Sequence, residues 1–185
     1  MVAVNPEDYR GRRTLILGDV NTGKTRLTRS ILEAFAAAGE AQEIALLDLA
    51  PEPAGDVGGK FPASAAGVLH LTTAIVPPRL TGTDEAEVAR LAAANADRIE
   101  ALFDSYLKQP RPILFVNDAT LYLQAGSLER FAGLLAGAAT AVVNAYQGRH
   151  FADGPLTRRE RRLTEALARR CDRVIRIEEW IEPWP

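Results

Sequence analysis

Residues 14–35 place an apolar run, a glycine-bounded loop and a helical pattern in direct succession. The run TLILG at residues 14–18 ends in glycine, and the segment after the loop carries apolar side chains at helical spacing, namely Leu27, Ile31, Leu32 and Phe35. A strand that leads through a tight loop into a helix is the first half of a βαβ unit. This feature restricts the chain to folds in which strands and helices alternate.

The rest of the chain continues the alternation. Continuous apolar runs predict further strands at residues 43–49, 68–71, 113–117, 140–144 and 173–177. Helical patterns predict helices at residues 84–107, 127–136 and 157–170, capped by Asp84, Ser127 and Thr157. Right-handed crossovers between such strands predict a three-layer α/β/α fold with a mainly parallel sheet. We expect one domain over residues 1–185, with residues 178–185 as a loose tail.

Composition narrows the class of protein. A chain of 185 residues with 47% hydrophobic and 25% charged residues is typical of a globular domain. Its net charge of −2 argues against a generally cationic surface for nucleic acids or membranes, so a nucleic-acid partner is only weakly indicated. The single cysteine, Cys171, excludes an internal disulfide, and with His70 and His150 it gives no zinc-site spacing.

The start of the sequence and its longest apolar run bear on where the protein is located in the cell. The first 13 residues lack the apolar core of a secretion signal, so we expect a cytoplasmic protein. The longest weakly apolar run, residues 131–143, is too short to span a bilayer and predicts the end of a helix followed by a buried strand. We therefore expect no membrane partner.

The segment GDVNTGKT at residues 18–25, called here the 18–25 loop, fits the pattern G-x-x-x-x-G-K-[ST]. A phosphate cradle needs backbone N–H groups turned inward, which glycine permits, above the positive end of a helix. Lys24 is predicted to reach the β- and γ-phosphates of a nucleotide, and the Thr25 hydroxyl to ligate Mg²⁺. The predicted nucleotide-binding residues are Gly18, Asn21, Thr22, Gly23, Lys24 and Thr25.

A magnesium ion held by one hydroxyl and by phosphate oxygens usually takes a further carboxylate from the end of a neighbouring strand. Asp48 and Asp118 each follow a predicted strand. Asp118 has the longer apolar run before it, whereas Asp48 is expected closer to the phosphates. Both stay candidate metal ligands at this point, Asp118 is also a candidate catalytic residue with Lys24, and each could instead cap a turn.

These residues make the chain resemble the P-loop NTPase superfamily, in architecture over most of the chain and in specific motif only at the 18–25 loop. The resemblance implies Mg²⁺-dependent binding and hydrolysis of a nucleoside triphosphate. The segment DLAPE at residues 48–52, with glycines at 58–59, is weakly similar to a segment of polynucleotide 5′-hydroxyl kinases, although Ala50 stands where those proteins carry an acidic residue. Asp48 also resembles the strand-end aspartate of MinD-like and signal-recognition-like ATPases and GTPases.

Two departures refine the resemblance. The 18–25 loop lacks the second lysine of the MinD-like pattern, and residues 144–147 (NAYQ) lack the lysine and aspartate of the guanine-binding motif N-K-x-D. ATP is therefore favoured over GTP as the ligand.

An arginine-rich segment is the main secondary feature. Between residues 157 and 176, eight arginines stand against Glu160, Glu165 and Asp172. A glycine-containing loop at 148–154 precedes four of them, so we expect a mobile lid in which Arg158 is the first candidate for a catalytic, transition-state arginine. The alternative is a solvated helix face. Lys60, Thr72 and Thr73 are further candidates for contact with the nucleotide, with a structural role as the alternative.

Three functions stay open on the sequence alone. The first is nucleoside-triphosphate hydrolysis. The second is phosphoryl transfer to an acceptor that the sequence does not specify, either a small molecule or a nucleic-acid 5′ end. The third is a nucleotide-gated interaction module with little turnover, which would recruit a protein partner through residues 50–67 and 148–154.

Overall fold

The computed structural model describes residues 4–52, 59–62 and 65–178, and within them six strands form one sheet. The strands are β1 (Arg13–Gly18), β2 (Ile44–Asp48), β3 (Leu69–Thr72), β4 (Ile113–Asn117), β5 (Thr140–Tyr146) and β6 (Arg173–Ile177). Every pairing is parallel and the order is β3-β2-β4-β5-β1-β6. β2, β4 and β5 are buried along their whole length, as expected for parallel strands covered on both faces.

Six α-helices accompany the strands in the described ranges. They are α1 (Lys24–Phe35), α2 (Pro78–Thr81), α3 (Glu85–Leu107), α4 (Thr120–Leu123), α5 (Leu128–Ala136) and α6 (Pro155–Ala168). Short 3-10 turns lie at Pro6–Asp8 and Ala41–Glu43, and a π turn at Ala36–Glu40 follows α1. Gly39 in that turn has a φ of 92°, a left-handed conformation that ends the helix.

The helices cover both faces of the sheet. Alternate residues of β1 show the division: Ile16 packs with Ile31 and Phe35 of α1 on one face, whereas Leu15 and Leu17 belong to the core on the other face. That second core contains apolar side chains from α3, α4, α5 and α6, including Ile99, Phe103, Tyr122, Phe131 and Leu167. The α/β/α fold class predicted from the sequence is therefore confirmed, and its sheet is parallel throughout.

Helix starts confirm two of the three predicted caps. Asp84 accepts from the Glu87 amide at 2.8 Å and Ser127 accepts from the Arg130 amide at 3.3 Å. The prediction for Thr157 is wrong: α6 begins at Pro155 after Gly154, and the Thr157 hydroxyl donates to the Ala152 carbonyl at 3.0 Å. Proline at the first helical position lacks one of the N–H groups that a cap would satisfy.

The predicted tail, the single-domain assignment and the expected lack of a membrane partner concern parts of the prediction other than the sheet and its helices. The predicted tail and its Trp180 and Trp184 lie outside the described residues from 179 onward, and the single-domain assignment stays a prediction. Among the helices in the described part of the chain, none has the length and apolar character needed to cross a membrane.

The topology collects strand ends at one edge of the sheet. Because all six strands are parallel, Gly18, Asp48, Asn117 and Tyr146 end their strands on the same side. In open parallel sheets, ligands bind in the crevice outside this carboxyl edge. The 18–25 loop lies at this edge, between the end of β1 and the start of α1.

Candidate functional site

Two glycines shape the 18–25 loop. Gly23 precedes α1 with a φ of 89°, which an L side chain rarely adopts. At Gly18, a Cβ atom would lie 2.5 Å from Thr22 Oγ1 and 2.7 Å from the Ile177 carbonyl oxygen. Asn21 also has a positive φ, 59°, which asparagine tolerates better than most residues. The backbone of the loop therefore makes a tight turn.

The start of α1 is open to an anion. Among the described residues no side chain caps this helix, so its first N–H groups keep the partial positive charge of a helix N-terminus. The Lys24 ammonium donates to the Asp19 carbonyl oxygen, to which Thr22 Oγ1 also donates at 2.9 Å. Burial lowers the pKa of Lys24, and the charges of Asp118 and Asp19 oppose that shift. Lysine and helix terminus together form a compact cationic site.

Asp19 joins the loop to the segment after β5. Its carboxylate accepts from the amides of Val20 at 2.6 Å and Arg149 at 2.8 Å. Burial alone would raise the pKa of Asp19, but these two donors, with His150 and Lys24, outweigh it and hold the pKa low. Asp19, at a variable position of the motif, thus has a structural role that the sequence analysis missed.

A buried polar network lies behind the loop, at the ends of β2, β4 and β5. Asn144 Nδ2 donates to Asn117 Oδ1 at 2.9 Å and to Thr28 Oγ1 at 3.0 Å, and Asn117 Nδ2 donates to Asp48 Oδ1 at 2.8 Å. All four side chains belong to residues no more than 1% exposed. Because buried polar groups need partners, this network fixes the strand ends relative to α1. The sequence analysis did not identify Thr28, Asn117 or Asn144 as site residues.

Asp48 is held on several sides by hydrogen bonds. Besides Asn117, its carboxylate accepts from the amides of Phe61 at 2.7 Å and Ala50 at 3.3 Å. In the structure, Asp48 ties the segment after β2 to the edge of the sheet. Its predicted role as a metal ligand stays a prediction.

Lys60 and Thr72 lie around that segment. Lys60 lines the cleft described below, pairs with Glu52 at 2.8 Å and donates to the Thr73 carbonyl at 3.1 Å. The Thr72 hydroxyl donates to the Asp48 carbonyl at 3.2 Å, a structural contact.

Asp118 has an unusual environment directly after β4. Its φ is 60°, and its amide donates to Asn144 Oδ1 at 2.8 Å. Within the described part of the chain, its Oδ1 atom is buried without a hydrogen-bond partner. Burial raises the pKa of Asp118 to about 6, against the lowering effects of Lys24, a hydrogen bond from Thr120, and Arg79. A strained, partly unsatisfied carboxylate that interacts with Lys24 is a strong candidate for ligand binding.

A cleft of about 1100 Å³ opens over these groups. Its cationic lining residues are Lys24, Arg26, Arg29, Lys60 and Arg79, and its acidic ones are Asp118 and Glu178. Thr25 also lines it, and the Thr25 hydroxyl donates to Asn117 Oδ1 at 3.4 Å. An excess of cations around a helix N-terminus suits a polyanionic ligand.

The structure does not bring Arg158 into this cleft. Its side chain is 58% exposed and pairs with Asp153 at 3.2 Å, and Arg161 approaches the same carboxylate at 3.7 Å. Neither residue is part of the cleft lining. Arg79, which was not a candidate in the sequence analysis, lines the cleft instead.

No protein-family model matches the chain, and no curated protein matches it at a significant level. The geometry of the 18–25 loop and of the cleft is therefore the basis for assigning a function.

Proposed function

We propose that this protein binds a nucleoside triphosphate with Mg²⁺ in the cleft over the 18–25 loop and hydrolyses its terminal phosphate, as a member of the P-loop NTPase superfamily. The carrying observation is the uncapped N-terminus of α1 beneath a loop whose half-buried Lys24 donates only to a neutral carbonyl oxygen among the described residues. A phosphate oxygen is a stronger partner for an ammonium than a carbonyl, so it would displace the Asp19 contact.

The residues around the loop have distinct tasks in this proposal. The amides of residues 21–25 donate to the phosphate oxygens, and Lys24 stabilises the negative charge that develops as water attacks the γ-phosphorus and the bond to the β–γ bridging oxygen breaks. ATP is the favoured nucleotide, because the segment at residues 144–147 lacks the guanine-binding motif.

The donor set fits a magnesium ion. No cluster of three His, Cys, Asp or Glu residues suited to a metal occurs in the described ranges, so an ion here would depend on phosphate oxygens as well. Thr25 and Asp118 would hold it, and the buried, unpartnered Oδ1 of Asp118 is an acceptor that lacks a ligand. When bound, Mg²⁺ supplies charge neutralisation on the phosphates.

Isothermal titration with Mg-ATP and Mg-GTP tests the binding step. Lys24→Ala is expected to weaken binding by about 100-fold, the size expected when a charge-assisted contact to phosphate is lost. Lys108→Ala is the matched control, because Lys108 is exposed after α3 and lies outside the cleft lining. Unchanged affinity in Lys24→Ala would contradict the assignment of the loop.

ATP labelled at the γ-phosphate tests the reaction. Labelled free phosphate is the expected product. A labelled third compound would replace hydrolysis with phosphoryl transfer to an acceptor. Tight binding with neither product would replace it with a nucleotide-gated interaction module.

A further inference from the structure

Arg79 reaches the cleft from a part of the chain that is distant from the 18–25 loop in sequence. It lies in α2, the four-residue helix between β3 and α3, and its side chain is 15% exposed. It lines the same cleft as Lys24, Thr25 and Asp118.

A cradle of side chains holds the guanidinium group. Nη2 lies 3.0 Å from Glu160 Oε2, and Nη1 donates to Glu160 Oε1 at 3.2 Å and to Thr157 Oγ1 at 3.3 Å. The group stacks over the Phe151 ring, 3.8 Å from its centroid, with the Tyr146 centroid at 5.5 Å. An arginine has five N–H donors, and the contacts to Glu160 and Thr157 engage only the two terminal nitrogens.

Glu160 is a poor permanent partner for this cation. It is 2% exposed, and burial raises its pKa to about 7, against the lowering effects of Arg79 and of Gln124, whose amide donates to Oε2 at 2.9 Å. The negative charge of Asp118 raises the pKa of Glu160 further. A carboxyl group of this kind takes up a proton near neutral pH. Arg79 can therefore move away from Glu160 without leaving a buried carboxylate unpaired.

A nucleotide's terminal phosphate offers Arg79 a better acceptor than Glu160. It carries more negative charge and matches the planar fork of a guanidinium. Phe151 also lines the cleft, so the ring can keep contact with Arg79 while the group reorients. We infer that Arg79 binds the terminal phosphate of the nucleotide and that Glu160 holds Arg79 aside until that phosphate arrives; this inference rests on the proposed function.

Affinities for ATP and ADP separate this role from a structural one. Arg79→Met alone would leave Glu160 buried without its partner, so the test uses the double variant Arg79→Met, Glu160→Gln and compares it with Glu160→Gln alone. The double variant is expected to lose about tenfold in ATP affinity and to keep its ADP affinity within about twofold. Glu160→Gln alone, which frees Arg79, is expected to raise the preference for ATP over ADP.

Controls make each outcome decisive. Arg90→Ala removes an arginine that is 66% exposed on α3 and is expected to leave both affinities unchanged. If the double variant does not fold, as judged by circular dichroism, Arg79→Lys keeps a cation opposite Glu160 but loses the planar fork, and a selective loss of ATP affinity is expected again.

The result that overturns the inference is a wild-type ATP-to-ADP preference in these Arg79 variants while the wild-type protein binds and hydrolyses ATP. The proposed function would then stand, and Arg79 would only join α2 to α6. A wild-type protein that binds neither nucleotide would overturn both proposals.

Discussion

Replacing Asn144 with alanine is expected to lower the free energy of unfolding by about 3 kcal/mol. The side chain is 1% exposed and makes three hydrogen bonds, to the Asp118 amide at 2.8 Å, to Asn117 Oδ1 at 2.9 Å and to Thr28 Oγ1 at 3.0 Å. A buried hydrogen bond contributes about 1 kcal/mol, and the groups left behind stay buried with a partner removed. The three losses together give the expected change.

Urea unfolding followed by circular dichroism measures this change. With a slope of about 2 kcal/mol per molar urea, the midpoint is expected to fall by about 1.5 M. Thr28→Val keeps the side-chain shape but removes one of these three bonds together with the bond from the Thr28 hydroxyl to the Lys24 carbonyl at 2.8 Å, so its expected loss is about 2 kcal/mol. An Asn144→Ala midpoint no lower than that of Thr28→Val would refute the reasoning, because the other two bonds of Asn144 would then contribute no more than the single bond from Thr28 to the Lys24 carbonyl.

Three further changes test other parts of the structure. Gly148→Ala would place a Cβ atom 2.1 Å from Asp19 Cγ and is expected to weaken Mg-ATP binding at least tenfold by titration, since it displaces the start of the loop. Gly133→Ala, with nothing within 4 Å, is expected to raise the stability of α5 by about 0.5–1 kcal/mol in thermal melts. Because the pKa of Glu160 is raised from 4.5 to about 7, its contribution to stability is complete below pH 4.5 and is lost as the pH rises through 7. Glu160→Gln is therefore expected to remove about 3 kcal/mol of the fall in stability between pH 4.5 and 8, and equal pH dependence in urea unfolding of the two proteins would contradict this.

The strands were predictable because each is a local apolar run. The predicted bounds at residues 113–117 and 173–177 are those of β4 and β6, and β1 begins only one residue before its prediction. The helices α2 and α4 were missed because four residues are too few to show a helical period. Pro78 at the start of α2 and the left-handed Asp118 before α4 carry no periodic signal of their own.

The site was predictable only where it is contiguous in sequence. The sequence pattern of the 18–25 loop is complete within eight residues, whereas Asn117 and Asn144 meet only because β4 and β5 are neighbours in the sheet. An asparagine at the end of a strand has no distinguishing pattern before the strand order is known.

Arg158 was predicted as the catalytic arginine because it lies in the segment of the sequence with the most arginines. In the structure, the exposed Asp153 pairs with Arg158, whereas Arg79, which has no arginine neighbours in the sequence, lies in the cleft with Arg26 and Arg29. Local charge in a sequence does not tell which side chains a fold turns inward.

The position of β1 within the sheet has a consequence for how the protein is made. Thr14 pairs with Val142 of β5 on one side and with Arg173 of β6 on the other, so neither edge of β1 can be closed until residues 140–177 are available. Parallel pairing over such long sequence separations is slow, because the entropy of loop closure is lost before the contacts form. During synthesis, the 18–25 loop therefore emerges before the strands that pair with β1 on either side. A nascent chain that ends before residue 140 thus carries the complete motif with both sides of β1 unpaired.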